Sequence, residues 1–272
     1  MPVKKSLLIV GSRSLIAQNI KQKLYTKYKI KFLSFKKVNK LSEKILCNFN
    51  YIINCSFDKN CFNNKYNSDI IICNKLKNNL SNTKFVMLSS SKVYGVSKKN
   101  SENSKCSPIT KYGKYRLKTE KYLQKKLKKN LLILRVSNVL NFDLRLNSAS
   151  KTTINTMLID LIKKKIITIP KKNAFKDFIT IEYLLSCLEK LLKENYCGIF
   201  NISSNIKITL YEVSKKLING FGMGKINLID DITDNFTIKN YQIKKTTGMS
   251  LTKNNILKKI EELGIKLKNK KL

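Results

Sequence analysis

The chain contains no histidine and no tryptophan in its 272 residues. Without imidazole, Ser-His-Asp and Cys-His catalysis are excluded, as are most zinc sites. Acid–base work near neutral pH must then come from Tyr, Lys, Cys or a carboxylate. Arginine is nearly as scarce. Arg13, Arg116, Arg135 and Arg145 are the only four, so 51 of the 55 basic residues are lysine. Against 17 acidic residues this leaves a formal net charge of +38, which raises the question of a nucleic-acid partner. The lysines are spread along the chain rather than gathered in one block with aromatics, and the bidentate fork that reads base edges belongs to arginine. The excess of Lys, Asn and Ile is what an AT-rich coding sequence produces. Weak attraction to polyanions is expected; a specific nucleic-acid partner is not. Long apolar runs are missing too. No run approaches the roughly 18–20 residues of a membrane span. The segment Leu7 to Val10 is too short for a signal-peptide core, so the sequence reads as cytoplasmic, with no membrane partner. Seven cysteines (47, 55, 61, 73, 106, 187, 197) show no C-x-x-C and no metal-ligand spacing. They read as free thiols, and no metal site is expected.

What is present is an alternation of short apolar runs and helical patterns. Residues 6–10 (SLLIV), 29–35, 51–55 (YIINC), 84–88 (KFVML) and 131–136 (LLILRV) read as buried parallel strands. Residues 14–25, 69–80 and 111–128 read as the helices between them. Beyond residue 140 the pattern is mixed. Helices are expected over 152–164, 180–193, 209–218 and 254–263, the last stopped by Gly264, with a strand over 198–202 and a loop over 220–224. The order implies an α/β fold: a Rossmann-type doubly wound parallel sheet with a small mixed α/β C-terminal substrate lobe. The core is expected over 1–140, completed by about 175–205, and the lobe over 141–174 and 206–272.

The first strand enters a tight turn at Gly11, and a helix starts at once. Backbone N–H groups and the helix dipole are then aimed at a phosphate. Gly11, Ser12, Arg13, Ser14, Leu15 and Ile16 form this candidate cofactor turn. Ser14 and Ala17 stand where a G-x-x-G-x-x-G pattern has its second and third glycines. The second strand ends in Phe32-Leu33-Ser34-Phe35-Lys36-Lys37. It lacks the carboxylate that holds the ribose hydroxyls in NAD-binding units. With Arg13 and Ser34 nearby, this suits a 2′-phosphate, so NADP(H) is preferred and NAD(H) is second.

The fourth strand ends in Leu88-Ser89-Ser90-Ser91-Lys92-Val93-Tyr94-Gly95, and Tyr112-Gly113-Lys114-Tyr115-Arg116 follows, with Glu120 four residues on. These segments resemble the extended short-chain dehydrogenase/reductase family of nucleotide-sugar epimerases, dehydratases and reductases. That family carries a Ser-rich strand end before V-Y-G, then Y-G-x-x-K with a Glu four residues later. Leu134-Arg135-Val136-Ser137-Asn138-Val139, Lys176-Asp177-Phe178-Ile179-Thr180-Ile181-Glu182 and Gly198-Ile199-Phe200-Asn201-Ile202 resemble further motifs in the same order. The resemblance covers nearly the whole chain.

The resemblance implies Ser90, Tyr112 and Arg116 as the catalytic set. Tyr112 would be the acid–base group at a sugar hydroxyl or carbonyl, and Ser90 would hold the substrate oxygen. Arg116 would occupy the place of the family's Lys, one turn along the same helix face, where a cation favours the phenolate. It also implies Cys55, Tyr112 and Arg116 at the cofactor, Ser91 and Asn138 at a nucleotide-sugar substrate, and a homodimer through the helix from Lys111. A cell-surface polysaccharide pathway is the natural setting. The turn resembles that of GDP-fucose synthase-like keto-sugar reductases, which ranks reduction at a 4-keto sugar carbon above epimerisation. Arg116 keeps the positive charge but cannot relay a proton. A second reading is therefore a cofactor-binding member without turnover, regulatory or structural. Tyr94-Gly95-Val96-Ser97-Lys98 also spells Y-G-x-S-K, but it falls in a loop and the V-Y-G motif already accounts for Tyr94.

Overall fold

The computed structural model describes residues 4–57, 66–76, 83–95, 100–141, 152–231 and 235–270. These form two compact units. The first takes Met1–Gly95, Lys105–Val136 and Leu185–Phe200; the second takes Val96–Ser104, Ser137–Leu184 and Asn201–Leu272.

In chain order the first unit contains β1 (Ser6–Val10), α1 (Leu15–Leu24), β2 (Lys29–Leu33), α2 (Phe35–Val38), α3 (Glu43–Cys47), β3 (Tyr51–Asn54), α4 (Ser68–Leu76), β4 (Lys84–Ser90), α5 (Lys111–Leu127) and β5 (Leu131–Val136). There follow β6 (Asn138–Leu140), α6 (Thr153–Lys164), β7 (Ile166–Pro170), β8 (Phe175–Lys176), β9 (Phe178–Thr180), α7 (Ile181–Lys193), β10 (Gly198–Ile202), β11 (Ile208–Thr209), α8 (Leu210–Phe221), β12 (Lys225–Ile229), α9 (Tyr241–Thr247) and α10 (Lys253–Asn269).

The first unit is built on a six-stranded sheet of order β10-β5-β4-β3-β1-β2. The pairs β1–β2, β1–β3, β3–β4 and β4–β5 are parallel. β3 and β5 are buried at every residue, as expected of strands covered on both faces. Ile52, Phe85, Met87 and Ile133 point to one face, where α4 and α5 supply Ile72, Leu76, Leu123 and Leu127. Tyr51, one residue before Ile52, points to the other, and its hydroxyl donates to the Leu192 carbonyl of α7 at 2.8 Å. The Rossmann-type sheet expected from the sequence is thus observed. β4 runs two residues past its apolar run, because Ser89 and Ser90 still pair with Arg135 and Val136.

The second unit packs α6, α8 and α10 around side chains of β7 and β9, with Leu158, Ile169, Phe178, Leu217 and Ile260 at its core. Two sequence expectations fail here. α10 does not stop at Gly264 but continues to Asn269, and α8 extends through Gly220 to Phe221. Both glycines serve helix–helix packing rather than termination. A Cβ on Gly264 would lie 2.4 Å from the Leu217 carbonyl oxygen, and one on Gly220 would lie 2.1 Å from that of Glu261. No helix among the described residues is long and apolar enough to cross a membrane.

Candidate active site

β1 delivers the chain to Gly11, whose φ of +100° is open to glycine alone at little cost. A Cβ there would sit 2.9 Å from the backbone of Cys55 and Ser56, so the ends of β1 and β3 approach more closely than any side chain permits. Gly11 N–H donates to the Leu33 carbonyl, and Ser14 N–H donates back to the Gly11 carbonyl, both at 2.8 Å. Ser14 caps α1, accepting from Ala17 N–H at 3.4 Å. α1 has no acidic residue in its first turn, so the positive end of its dipole is uncompensated from within. Ser12, Leu15 and Ile16 are half-buried around the turn, and Arg13 is exposed. Ser34, at the end of β2, caps α2. Cys55 donates its backbone N–H to Val10. Burial, reinforced by the Asp69 charge, pushes its thiol up, so it stays neutral.

Ser90 ends β4 and caps one turn of 3₁₀ helix over Ser91–Val93, its hydroxyl accepting from Lys92 N–H at 3.2 Å. Ser90 is half-buried and Ser91 buried. Thr110 caps α5 by accepting from Gly113 N–H at 3.0 Å. A Cβ on Gly113 would lie 2.3 Å from the Lys92 carbonyl oxygen. The glycine after Tyr112 therefore lets α5 rest directly on the turn that starts at Ser90.

On α5, the Arg116 Nε donates to the Tyr112 hydroxyl at 3.2 Å. Its NH1 nitrogen donates to Asp69 Oδ2 on α4, at 3.1 Å, in a pair whose side chains are 8% and 3% exposed. Asp69 Oδ1 accepts from Asn54 Nδ2 at 2.7 Å. Asn54 Oδ1 in turn accepts from the Ser56 N–H at 3.1 Å and its hydroxyl at 2.6 Å. The guanidinium also lies 5.2 Å from the centre of the Phe57 ring, which meets Tyr112 edge-on. Burial works to lower the Arg116 guanidinium, but Tyr112 and Asp69 outweigh it, so the group remains cationic. Burial pushes the Asp69 carboxyl up, against the opposing pull of Arg116 and Asn54.

A second buried cluster lies along α5. Glu120 is fully buried and holds Arg135 on β5 through Nε at 3.1 Å and NH2 at 2.7 Å. Ser89 also donates to Glu120. Arg135 NH1 donates to the Tyr94 hydroxyl at 2.9 Å. Tyr94 is thereby committed to a buried ion-pair cluster; Ser97 and Lys98 lie outside the described residues.

Asn138 belongs to the second unit, where its Nδ2 donates to the Asp177 carbonyl at 2.9 Å. The Asp177 carboxylate accepts from the N–H and hydroxyl of Ser204, at 2.9 and 2.8 Å, and from Asn205 N–H at 3.1 Å. No cluster of three or more metal-ligating side chains occurs among the described residues.

The sequence pattern brought out Ser90, Tyr112 and Arg116 but not Asp69, Asn54, Ser56 or Phe57. Asp69 reads as an ordinary first-turn helix acid; its burial against α5 follows from the packing of α4 on α5, which no local pattern records.

No protein-family model matches the chain, and no match is found among curated proteins. Solved structures do match over nearly the full length. The UDP-N-acetylglucosamine 4-epimerase of Methanobrevibacter ruminantium M1, in complex with UDP-N-acetylmuramic acid, is 16% identical with a TM-score of 0.82, covering 99% of each chain. The dTDP-glucose 4,6-dehydratase of Bacillus anthracis, in complex with NAD, is 16% identical with a TM-score of 0.78, covering 98% of this chain and 97% of that one. The ADP-L-glycero-D-manno-heptose-6-epimerase of Helicobacter pylori is 14% identical with a TM-score of 0.78, covering 97% of this chain and 96% of that one. At these identities the likeness establishes a shared fold, the Rossmann-type α/β fold described above.

Proposed function

We propose that this chain is an extended short-chain dehydrogenase/reductase that transfers hydride between a nicotinamide dinucleotide and a nucleotide-activated sugar, at a 4-keto sugar carbon. The observation that carries the reading is the 3.2 Å contact of Arg116 with the Tyr112 hydroxyl, on a helix seated against the turn that starts at Ser90. The contact sets a cationic donor against the phenol oxygen and fixes its place, so the hydroxyl is held ready to exchange protons with a sugar hydroxyl in a chain without histidine. Ser90 holds the same sugar oxygen, which fixes it for proton transfer. Ser91, in the turn that follows Ser90, contributes to holding the sugar nucleotide.

The Gly11–Ile16 turn fits a dinucleotide. Its backbone approach at Gly11 leaves no room for a side chain, and the N-terminus of α1 carries no acid that would repel a pyrophosphate. The dinucleotide, when bound, supplies or accepts the hydride. Some structures of the same fold hold NAD. In this chain Arg13 and Ser34, without a carboxylate at the end of β2, favour NADP(H) over NAD(H).

Arg116 also favours the second reading, a cofactor-binding member without turnover, since its guanidinium is divided between Tyr112 and a buried carboxylate. Titration with NADPH and NADH, followed by nicotinamide fluorescence, tests the proposal. NADPH is expected to bind at least about tenfold more tightly, and Arg13→Ala to erase that preference. Binding of neither overturns the enzyme reading; tighter NADH overturns the role of Arg13 and Ser34.

A further inference from the structure

The side chain of Asp69 has no place in the proposed chemistry, yet it is buried and bonded on both oxygens: Oδ1 to Asn54 Nδ2 at 2.7 Å and Oδ2 to Arg116 NH1 at 3.1 Å. Asn54 is the last residue of β3, and Ser56 fixes its amide oxygen. An unbroken line of hydrogen bonds therefore runs from the C-terminal end of β3 through Asn54, Asp69 and Arg116 to the Tyr112 hydroxyl.

We propose that Asp69 is a positioning residue, whose carboxylate aims the Arg116 guanidinium at Tyr112. The proposal deepens the functional reading above and rests on it for the role of Tyr112. A guanidinium is planar and rigid, so pinning NH1 sets the direction of Nε. Burial removes competing water and strengthens both bonds.

The same geometry accounts for arginine at position 116. An ammonium beside a buried carboxylate would be drawn to that carboxylate and lost to the phenol. A guanidinium carries its donors on separate nitrogens, here Nε and NH1, and serves both, whereas an ammonium's three N–H groups share one nitrogen that would have to lie within bonding distance of both acceptors. Arg116→Lys alone is therefore expected to impair the site. The same change made together with Asp69→Asn is expected to recover it, because the ammonium is then free to face Tyr112.

The test follows the Nε–H resonance of Arg116 in ¹⁵N-labelled full-length protein, assigned by its loss in Arg116→Lys. In the unsubstituted protein, Tyr112→Phe should shift this resonance. In Asp69→Asn, and in Asp69→Glu, which keeps the charge but lengthens the arm, it should exchange faster with solvent and no longer respond to Tyr112→Phe. A resonance that still responds to Tyr112→Phe in both Asp69 variants overturns the proposal. This readout needs no ligand, so it stands apart from any failure of dinucleotide binding. In turnover, Asp69→Asn and Arg116→Lys should each lower kcat by on the order of 100-fold with KM little changed, and the double variant should regain most of it. Losses that simply add overturn the proposal as well.

Discussion

At the scale of single residues, two buried cations on neighbouring elements do different work. Arg135 is satisfied by Glu120 and Tyr94 inside the first unit, with no solvent-facing acceptor among them. Removing Glu120 leaves a buried charge without its partner. Glu120→Ala is expected to destabilise the protein by about 3–5 kcal/mol in urea unfolding. Replacing Arg135 with Met in the same chain should return much of that loss. Arg116 instead presents its Nε to the half-buried Tyr112. Tyr112→Phe removes the acid–base oxygen and should lower hydride transfer by about 10²–10⁴-fold in single-turnover measurements. Tyr94→Phe should leave the transfer rate unchanged and register only in stability. These two tyrosines were separable in the sequence only by their motif context. The structure separates them by partner, because Tyr94 is 1% exposed and bonded to Arg135. Asp69 was invisible at this scale: a carboxylate at a helix start is ordinarily a solvated dipole partner, and only the docking of α4 on α5 buries it.

At the scale of elements, the strands and helices of the first unit were legible because a buried parallel strand is a continuous apolar run between turn residues. The second unit was less so. Four of the five β12 residues are exposed, which leaves no buried run to read. Gly264 misled because a glycine at a helix end and one at a helix crossing look alike in sequence; the Leu217 carbonyl decides between them. Gly113 follows the same logic beside the site. Gly113→Ala should push α5 off the Lys92 carbonyl, cost about 1–3 kcal/mol of stability and reduce transfer along with it, as measured by thermal melting and turnover. In the second unit Asp177 ties the β8–β9 connection to Ser204, Asn205 and Ile238. Burial pushes its carboxyl from 3.8 to about 6, against the opposing hydrogen bonds from those residues. The folded protein therefore holds this proton more tightly than the unfolded chain. The associated stability is fully present below the unfolded value and lost as pH rises through 6. Relative to Asp177→Asn, the unsubstituted protein should gain about 2 kcal/mol between pH 7 and pH 4.5 in paired unfolding curves; a difference flat with pH would contradict this.

At the scale of the whole molecule, the net charge of +38 is the dominant property. Its organisation on α5 is visible in the structure: Lys111, Lys114, Lys118, Lys121 and Lys125 are all exposed at three- and four-residue spacing along one helix face. Two copies meeting through this face would oppose like charges. Any self-association through α5 should therefore strengthen as ionic strength rises, and sedimentation across a salt series checks the trend. Binding to mixed-sequence DNA should show the opposite salt dependence and no sequence preference. Neither property bears on the chemistry at Tyr112. The most direct measurement there mixes the protein and NADP⁺ or NAD⁺ with UDP-, dTDP-, GDP- and ADP-sugars and follows reduced nicotinamide absorbance in a stopped flow, for the unsubstituted chain and for Tyr112→Phe. The expected result is a reduction burst with at least one sugar nucleotide that Tyr112→Phe abolishes. Dinucleotide binding with no burst for any sugar, or a burst of equal rate in Tyr112→Phe, would contradict the assignment.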